Sequence, residues 1–237
     1  RKIPLHEKGG IINEFGGDFC TVRLRIPAGL ITVDQMEGIV DIARRYNTEL
    51  HLTTRQTMEL VHVSPTSLES LARDLEANGT PIGAEKSEIV NITACPGTDR
   101  CRFAMIDSIS LARTLDEKFF GKEMPVKFRI AISSCSNSCV SERLNEIGIT
   151  GVVRPYRVPG TCTGCGTCVK YCRENAIAIK NGQIRMNNDL CVHCGMCIQS
   201  CPFHIIKADP AAYHITIGGK RGRHPRVGYH ILSLIHI

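Results

Sequence analysis

The sequence has 237 residues, carries a formal net charge of +6, and is 43% hydrophobic but only 5% aromatic. This length suffices for one or two globular domains and a small module, and the plentiful apolar patterns exclude a disordered chain. We see no signal-peptide pattern and no apolar run of the roughly 20 residues that span a membrane, so we predict a cytoplasmic protein without membrane insertion. The positive charge suits an anionic cofactor and substrate as well as it suits nucleic acid, and we predict no nucleic-acid partner.

The first predicted domain, residues 1–81, has the element order β-α-β-β-α. Apolar residues alternate over 19–26, which indicates a half-buried strand with Cys20 on its buried face. Thr32 and Gln35 form a capping box that begins a helix. The predicted apolar stripe of this helix consists of Val33, Met36, Ile39, Val40, Ala43 and Tyr46. Strands over 49–53 and 58–63 and a second helix over 64–78 complete an α+β unit.

The second predicted domain comprises residues 82–154 and 209–237, and it contains two pairs of cysteines. A predicted strand over 89–93 leads into Cys95 and Cys101, which are spaced C-x5-C, and a helix is predicted over 106–120. A second strand, over 126–132, leads into Cys135 and Cys139, which are spaced C-x3-C. Open α/β folds commonly bind ligands on loops that follow strand ends.

The third predicted domain, residues 155–208, is an internal repeat inserted into the second. Two C-x2-C-x2-C-x3-C runs align without gaps, and this pattern is typical of bacterial ferredoxins with two clusters, in which the fourth cysteine of each run crosses to the other cluster. The predicted ligands of one cluster are Cys162, Cys165, Cys168 and Cys201. Those of the other are Cys172, Cys191, Cys194 and Cys197. Zinc is the alternative for C-x2-C pairs, but eight cysteines in this double pattern favour iron–sulfur clusters.

Both ends of the sequence look cut. The chain begins with Arg1 rather than Met and ends in the apolar tail ILSLIHI. We interpret it as a fragment that is truncated at its C-terminus and carries a foreign terminal sequence.

The four cysteines of the second domain, in their order and context, resemble the cluster motif of the sirohaem-dependent nitrite and sulfite reductases. TACPGTDRC and PVKFRIAISSCSNSC resemble the two cluster loops of that family, and RLRIPAGLI and LTTRQTMEL resemble its segments on the substrate side. GGKRGRHP resembles a late cofactor-binding loop. The inserted repeat is similar to that of dissimilatory and anaerobic sulfite reductase subunits. The implied fold is therefore a ferredoxin-like half domain, an α/β domain for cluster and sirohaem, and an inserted 2[4Fe–4S] ferredoxin module.

The resemblance also implies roles for individual residues. The cofactors would be sirohaem and three [4Fe–4S] clusters, with Cys139 both a cluster ligand and the bridge to the sirohaem iron. The implied catalytic residues at the open face of the haem are Arg25, Arg55, Lys127 and Arg129. The implied cofactor-binding residues, besides Cys139, are Arg23, Arg100, Lys220, Arg221 and Arg223. Cations are needed there because sulfite and the eight sirohaem carboxylates are anionic, and Lys127 is the better proton donor because a guanidinium holds its proton more tightly.

The function implied by the resemblance is the six-electron reduction of sulfite to sulfide in an anaerobic cell. Electrons would come from a donor protein or subunit through the ferredoxin module. Reduction of nitrite to ammonia is the close alternative, and a non-catalytic electron-transfer or structural subunit is the other. Because the chain carries one half domain where larger relatives carry two, a homo- or hetero-oligomer with another reductase subunit is implied.

Overall fold

The computed structural model describes residues 9–235, so residues 1–8 and 236–237, at the ends of two predicted domains, lie outside the described residues. The chain divides into two compact units. The first comprises the chain through Ala94 together with Ile109–Ala131, and the second comprises Cys95–Ser108 with the chain from Ile132 onward.

The first unit has a four-stranded antiparallel sheet with the order β1-β2-β4-β3. The elements from its N-terminal part are β1 Ile11–Asn13, β2 Cys20–Arg23, α1 Val33–Arg45, β3 Glu49–Leu52, β4 Met58–Val63 and α2 Leu68–Ala77. They form the predicted β-α-β-β-α series, with β1 added at the start. Their aliphatic core includes Val22, Leu24, Ile39, Leu60 and Leu71, each inaccessible to solvent.

The capping box at the start of α1 is present, with the Thr32 side chain accepting from the Gln35 backbone and the Gln35 side chain accepting from Thr32. The predicted apolar stripe is wrong in its first turn, because Val33 is 73% and Met36 is 38% exposed. The buried residues of α1 are Ile39, Ile42 and Ala43. The helical spacing of apolar residues therefore predicts the correct face of the helix, but it includes one N-terminal turn that does not pack on the core. Cys20 is buried, as predicted.

The first unit also contains β5 Thr93–Ala94 and nearly all of α3 Ser108–Phe119. The next strand, β6 Ile130–Ser133, begins four residues later than predicted. Before it, Phe128 makes only an isolated parallel bridge to Ile89, so the residues from Val126 to Arg129 do not form the predicted strand.

The second unit contains a sheet with the strand order β13-β12-β7-β6. The chain passes from the first unit to the second within β6, between Ala131 and Ile132. The elements that follow β6 are β7 Ile147–Val152, β8 Pro155–Arg157, α4 Thr167–Tyr171, β9 Ile177–Lys180, β10 Gln183–Met186, α5 Met196–Ser200, β11 Ile206–Ala208, β12 Ala212–Ile217 and β13 Tyr229–Ile235. No element was predicted for the apolar tail, but in the structure it contributes to β13, which pairs with β12 in an antiparallel ladder.

The two cysteine runs have the same backbone form. Gly166 (φ 76°) precedes α4 and Gly195 (φ 71°) precedes α5, and both glycines adopt the left-handed conformation that side chains disfavour. Cys172 and Cys201 end the two helices in extended conformations with the same φ of −80°. The sequence repeat is therefore also a structural repeat.

Candidate iron–sulfur and anion site

The first cysteine group lies on two loops that follow strands. Cys95 comes directly after β5, and its backbone N–H donates to the Ile132 carbonyl of β6 at 3.1 Å. Cys135 follows β6 after Ser134. Burial raises the pKa of Cys135, and the negative charges of Cys95, Cys101 and Cys139 raise it further. The four thiols are thus close enough to act on one another. Cys95 and Cys135 are buried, whereas Cys139 is exposed.

The sulfur of Cys95 is surrounded by hydrogen-bonding groups. The Ser134 backbone N–H donates to it at 3.0 Å, and the Ser134 hydroxyl lies 2.9 Å away. Burial alone would raise the pKa of Cys95, but these hydrogen bonds outweigh burial, so the pKa is lowered. A thiolate at this position is therefore favoured, and thiolate is the form that binds iron.

Close packing holds the Ser134 backbone in place. Met105 N–H donates to the Ser134 carbonyl at 2.8 Å. A Cβ atom added to Gly151 of β7 would lie 2.3 Å from the same carbonyl oxygen, which no side chain can do without displacing the backbone. Gly151 therefore allows β7 to approach the loop that carries Cys135.

The eight cysteines of the repeat gather in two groups. Burial raises the pKa of Cys168, and so do the charges of Cys201, Cys162 and Cys165. Burial raises the pKa of Cys197 to about 12, with further contributions from Cys194, Cys191 and Cys172. The charges that act on Cys168 and on Cys197 thus come from the cysteines of the same crossed sets that the sequence pattern predicts, and the assignment of cluster ligands stays a prediction.

The chemistry of these groups fits iron–sulfur clusters. Burial raises the pKa of Cys135 and of Cys197, and the neighbouring thiolates add to this, so a cationic iron core would stabilise the thiolate form at both positions. Within residues 9–235, no three His, Cys, Asp or Glu side chains meet closely enough to hold a single metal ion. A cubane binds its four thiolates at four separate corners.

The basic residues predicted in the first unit are paired with carboxylates. Arg23 forms ion pairs with Glu59 and Glu85, and Lys127 pairs with the other oxygen of Glu85. Arg25 binds Asp116. Each of these cations is thus neutralised at least in part by a neighbouring group.

The other two predicted cations of this unit, Arg55 and Arg129, are partly buried. The Arg55 backbone is fixed in its loop, because its N–H donates to Thr53 Oγ1 at 3.2 Å and its carbonyl accepts from Asn91 at 2.8 Å.

The cations predicted in the second unit differ in their surroundings. Arg221 donates from Nη2 to the carbonyl of Val140 at 2.9 Å. Because Val140 directly follows Cys139 in the sequence, this bond holds Arg221 against the end of the C-x3-C loop. Lys220 and Arg223 are exposed. Arg100 is also exposed, and its Nε lies 3.9 Å from Asp99.

Sequence reasoning missed Arg143, which follows Cys139 by four residues. Its Nε is buried without a hydrogen-bond partner, and the same holds for Nε of Arg221. Two guanidinium donors near the C-x3-C loop therefore lack an acceptor, and an anionic ligand would supply one. The position of Arg143, only four residues after a predicted cluster cysteine, was the one sequence feature that indicated a role in anion binding.

One cavity in the second unit has a volume of about 650 Å³. Its lining joins one cysteine group to the C-x3-C loop, since it includes Cys172, Cys191 and Cys194 as well as Ser136 and Asn137. Arg143, Lys170 and Arg173 make part of its wall cationic.

Two family models match the chain. Residues 14–78 match the nitrite/sulfite reductase ferredoxin-like half domain, and residues 85–235 match the nitrite and sulphite reductase 4Fe-4S domain. The chain belongs to the nitrite and sulfite reductase family. The second match includes all four cysteines of the C-x5-C and C-x3-C pairs, so the predicted family resemblance is confirmed.

Several curated members of this family are similar over most of the chain. A sulfite reductase of Methanocaldococcus jannaschii is 35% identical over 91% of this chain, which spans 35% of that protein. One of the anaerobic sulfite reductase subunits of Salmonella typhimurium is 28% identical over 90% of the chain and 69% of its own length. The dissimilatory-type subunit beta of Archaeoglobus fulgidus is 27% identical, with coverages of 92% and 66%.

Solved structures show the same fold. Dissimilatory sulfite reductase I superposes with a TM-score of 0.75 at 20% identity, covering 97% of this chain and 65% of its own. The Mycobacterium tuberculosis NirA protein superposes with a TM-score of 0.61 at 16% identity and covers 98% of this chain. The predicted sulfite and nitrite reductase fold is therefore confirmed. Across residues 9–235, no helix is both long and apolar enough to cross a membrane.

Proposed function

We propose that the protein is a sulfite reductase subunit that reduces sulfite to sulfide with six electrons. The observation that carries this proposal is the group formed by Cys95, Cys101, Cys135 and Cys139 within the matched 4Fe-4S domain. The relatives named sulfite reductases support sulfite as the substrate.

Three groups of four cysteines would hold three [4Fe–4S] clusters. The first group belongs to the catalytic domain, and the other two belong to residues 155–208, which we propose to be an inserted ferredoxin module. When bound, the clusters would relay electrons from a donor, and sirohaem would supply the open iron coordination site that sulfite reduction requires. The donor would be a protein or subunit of a cytoplasmic complex, since two of the relatives are themselves named as subunits.

The chain contributes the sulfur ligands and their setting. Cys95 and Cys135 are buried and would hold the inner side of the cluster, and hydrogen bonds from Ser134 favour the thiolate of Cys95. Cys139 is exposed, and we propose that it would hold sirohaem as well as the cluster.

Sirohaem also fits the cations around the C-x3-C loop. Its carboxylates would accept hydrogen bonds from Arg221 and from Arg143, whose Nε atoms are both buried without an acceptor. The exposed residues Lys220, Arg223 and Arg100 would add positive charge. We therefore add Arg143 to the residues that the sequence assigned to cofactor binding.

In the first unit, we assign substrate binding to Arg25, Arg55 and Arg129, because guanidinium groups bind oxyanions with two parallel hydrogen bonds. Arg23 would support the cofactor. We assign proton delivery to Lys127, whose ammonium is held by Glu85.

One observation favours a second candidate, a non-catalytic subunit of such a complex. Arg23, Arg25 and Lys127 all form ion pairs with carboxylates, and a cation that is already paired binds sulfite less strongly. In this case the chain would bind cofactors and transfer electrons without turnover.

The experiment is an anaerobic assay of the protein purified with its natural partners, with reduced methyl viologen as the electron source. We expect one sulfide for every six electrons, and nitrite in place of sulfite tests the close alternative of ammonia formation. Lys127→Met should lower turnover while the iron content stays unchanged. Turnover that is unaffected by Lys127→Met, and also by Arg129→Met, would place catalysis elsewhere and favour the non-catalytic subunit.

A further inference from the structure

The second unit contains a fully buried carboxyl group beside the C-x3-C loop. Glu142 has no exposed surface, and three hydroxyl groups from different segments donate to it. Ser133 and Ser138 donate to Oε2 at 2.5 and 2.7 Å, and Thr150 donates to Oε1 at 2.9 Å. A ring of hydroxyl donors is what an ionised carboxylate needs, because it offers only acceptors.

One of these hydroxyl groups lies just before the C-x3-C loop and another lies within it. Ser133 precedes Cys135 by two residues, and Ser138 directly precedes Cys139. Since one carboxylate oxygen binds both serines, Glu142 ties the C-terminal part of the loop to the end of β6. Ser138 has a φ of 56°, a left-handed conformation that costs a non-glycine residue free energy unless its surroundings hold it.

The carboxylate is itself anchored to the sheet. Thr150 belongs to β7, so the third hydrogen bond ties the loop to that strand. The backbone of Glu142 also packs tightly, because a Cβ atom added to Gly148 would lie 2.6 Å from its carbonyl oxygen. Glu142 therefore cannot shift without moving β7.

The charge of Glu142 is partly offset by a neighbouring cation that makes no hydrogen bond to it. The guanidinium of Arg143 lies 3.7 Å from Oε1 through Nε, which is beyond hydrogen-bonding distance. Buried charges interact more strongly with their surroundings than solvated charges do, and a negative charge near an iron–sulfur cluster disfavours the addition of an electron.

We propose that Glu142 is a positioning residue that sets the C-x3-C loop and lowers the reduction potential of the cluster bound there. This inference rests on the proposed function, since it requires a cluster on Cys95, Cys101, Cys135 and Cys139.

The test is an anaerobic redox titration of the whole protein, followed by electron paramagnetic resonance, with the other two clusters as internal references. Glu142→Gln removes the charge but keeps the shape, and the Ser133 and Ser138 hydroxyls can reorient to accept from the amide nitrogen while Thr150 still donates to the amide oxygen. Its matched control is Asp99→Asn, which removes a carboxylate of the C-x5-C loop whose side chain is 82% exposed. Glu142→Ala removes both the charge and the hydrogen bonds.

We expect Glu142→Gln to keep full iron content and to shift one of the three reduction potentials upward, by clearly more than Asp99→Asn does. Glu142→Ala should also lose iron from that cluster faster under a chelator. A potential in Glu142→Gln equal to that of the unmodified protein would overturn the inference even though the cluster is present. Absence of the third cluster signal in the unmodified protein would instead refute the proposed function, and this inference with it.

Discussion

The ion pair between Arg25 and Asp116 gives the most quantitative prediction. Arg25 donates to Asp116 Oδ2 from Nε at 2.9 Å and from Nη2 at 2.5 Å. The carboxylate is only 1% exposed, whereas the Arg25 side chain is 30% exposed and its guanidinium lies 4.5 Å from the Phe120 ring centroid. Removing Arg25 would therefore leave a buried charge, but removing Asp116 would leave a cation that water can reach.

The magnitudes follow from this asymmetry. Loss of one partner of a buried pair costs about 3–5 kcal/mol, and the exposure of Arg25 places Arg25→Met at the lower end, about 3 kcal/mol. Asp116→Asn should cost about 1 kcal/mol, the value of a typical hydrogen bond. We expect the double variant to be more stable than Arg25→Met alone, because it contains no unpaired buried charge.

Hydrogen exchange of the α3 amides, measured by mass spectrometry on the anaerobic holoprotein, reports this opening free energy without complete unfolding. Arg25→Met should lower protection about 100-fold, which corresponds to about 3 kcal/mol. Equal losses of protection in Arg25→Met and Asp116→Asn would refute the argument from burial.

The stability that Arg25→Met loses should depend on pH. Burial raises the pKa of Asp116, and Arg25 opposes this. Without Arg25 the pKa rises further, so the carboxyl becomes neutral sooner as the pH falls. The loss of stability in Arg25→Met should therefore be smaller at low pH, and it should grow as the pH rises through the pKa of Asp116 in the folded protein. A deficit that is larger in acid would contradict this reasoning.

Three further predictions test individual sites. Cys165→Ser should lower the iron content from about twelve to about eight atoms per chain, whereas Cys20→Ser, which changes a buried strand cysteine, should leave it unchanged in the same iron assay. Gly151→Ala should speed iron loss to a chelator, because its Cβ would meet the Ser134 carbonyl; an unchanged rate would show that the loop relaxes freely. Burial lowers the pKa of His214 to about 4, so protection of β12 against hydrogen exchange should fall as the pH drops from about 6.5 to 4, and His214→Gln should flatten this dependence.

The repeat shows where sequence reasoning works well. Ligand spacing is a local property, and the C-x2-C-x2-C-x3-C pattern carries its own backbone geometry through Gly166 and Gly195. The capping box of Thr32 and Gln35 is likewise contained within four residues. Features of this kind could be predicted because their determinants lie next to one another in the chain.

Long-range partners explain the failures. The tail received no predicted element, since a strand such as β13 depends on the neighbour with which it pairs, here β12. The pairing of Arg25 with Asp116 joins residues 91 positions apart. Glu142 was missed because its three hydroxyl donors are recognisable only once β6 and β7 lie side by side.

We propose that this chain is part of a sulfite reductase and that Cys139 would hold both a cluster and sirohaem. The most direct measurement is the optical spectrum of the protein, purified without oxygen, with and without sulfite. We predict sirohaem bands that shift when sulfite is added. A spectrum that shows only the broad iron–sulfur shoulder, with no band that responds to sulfite, would contradict the claim.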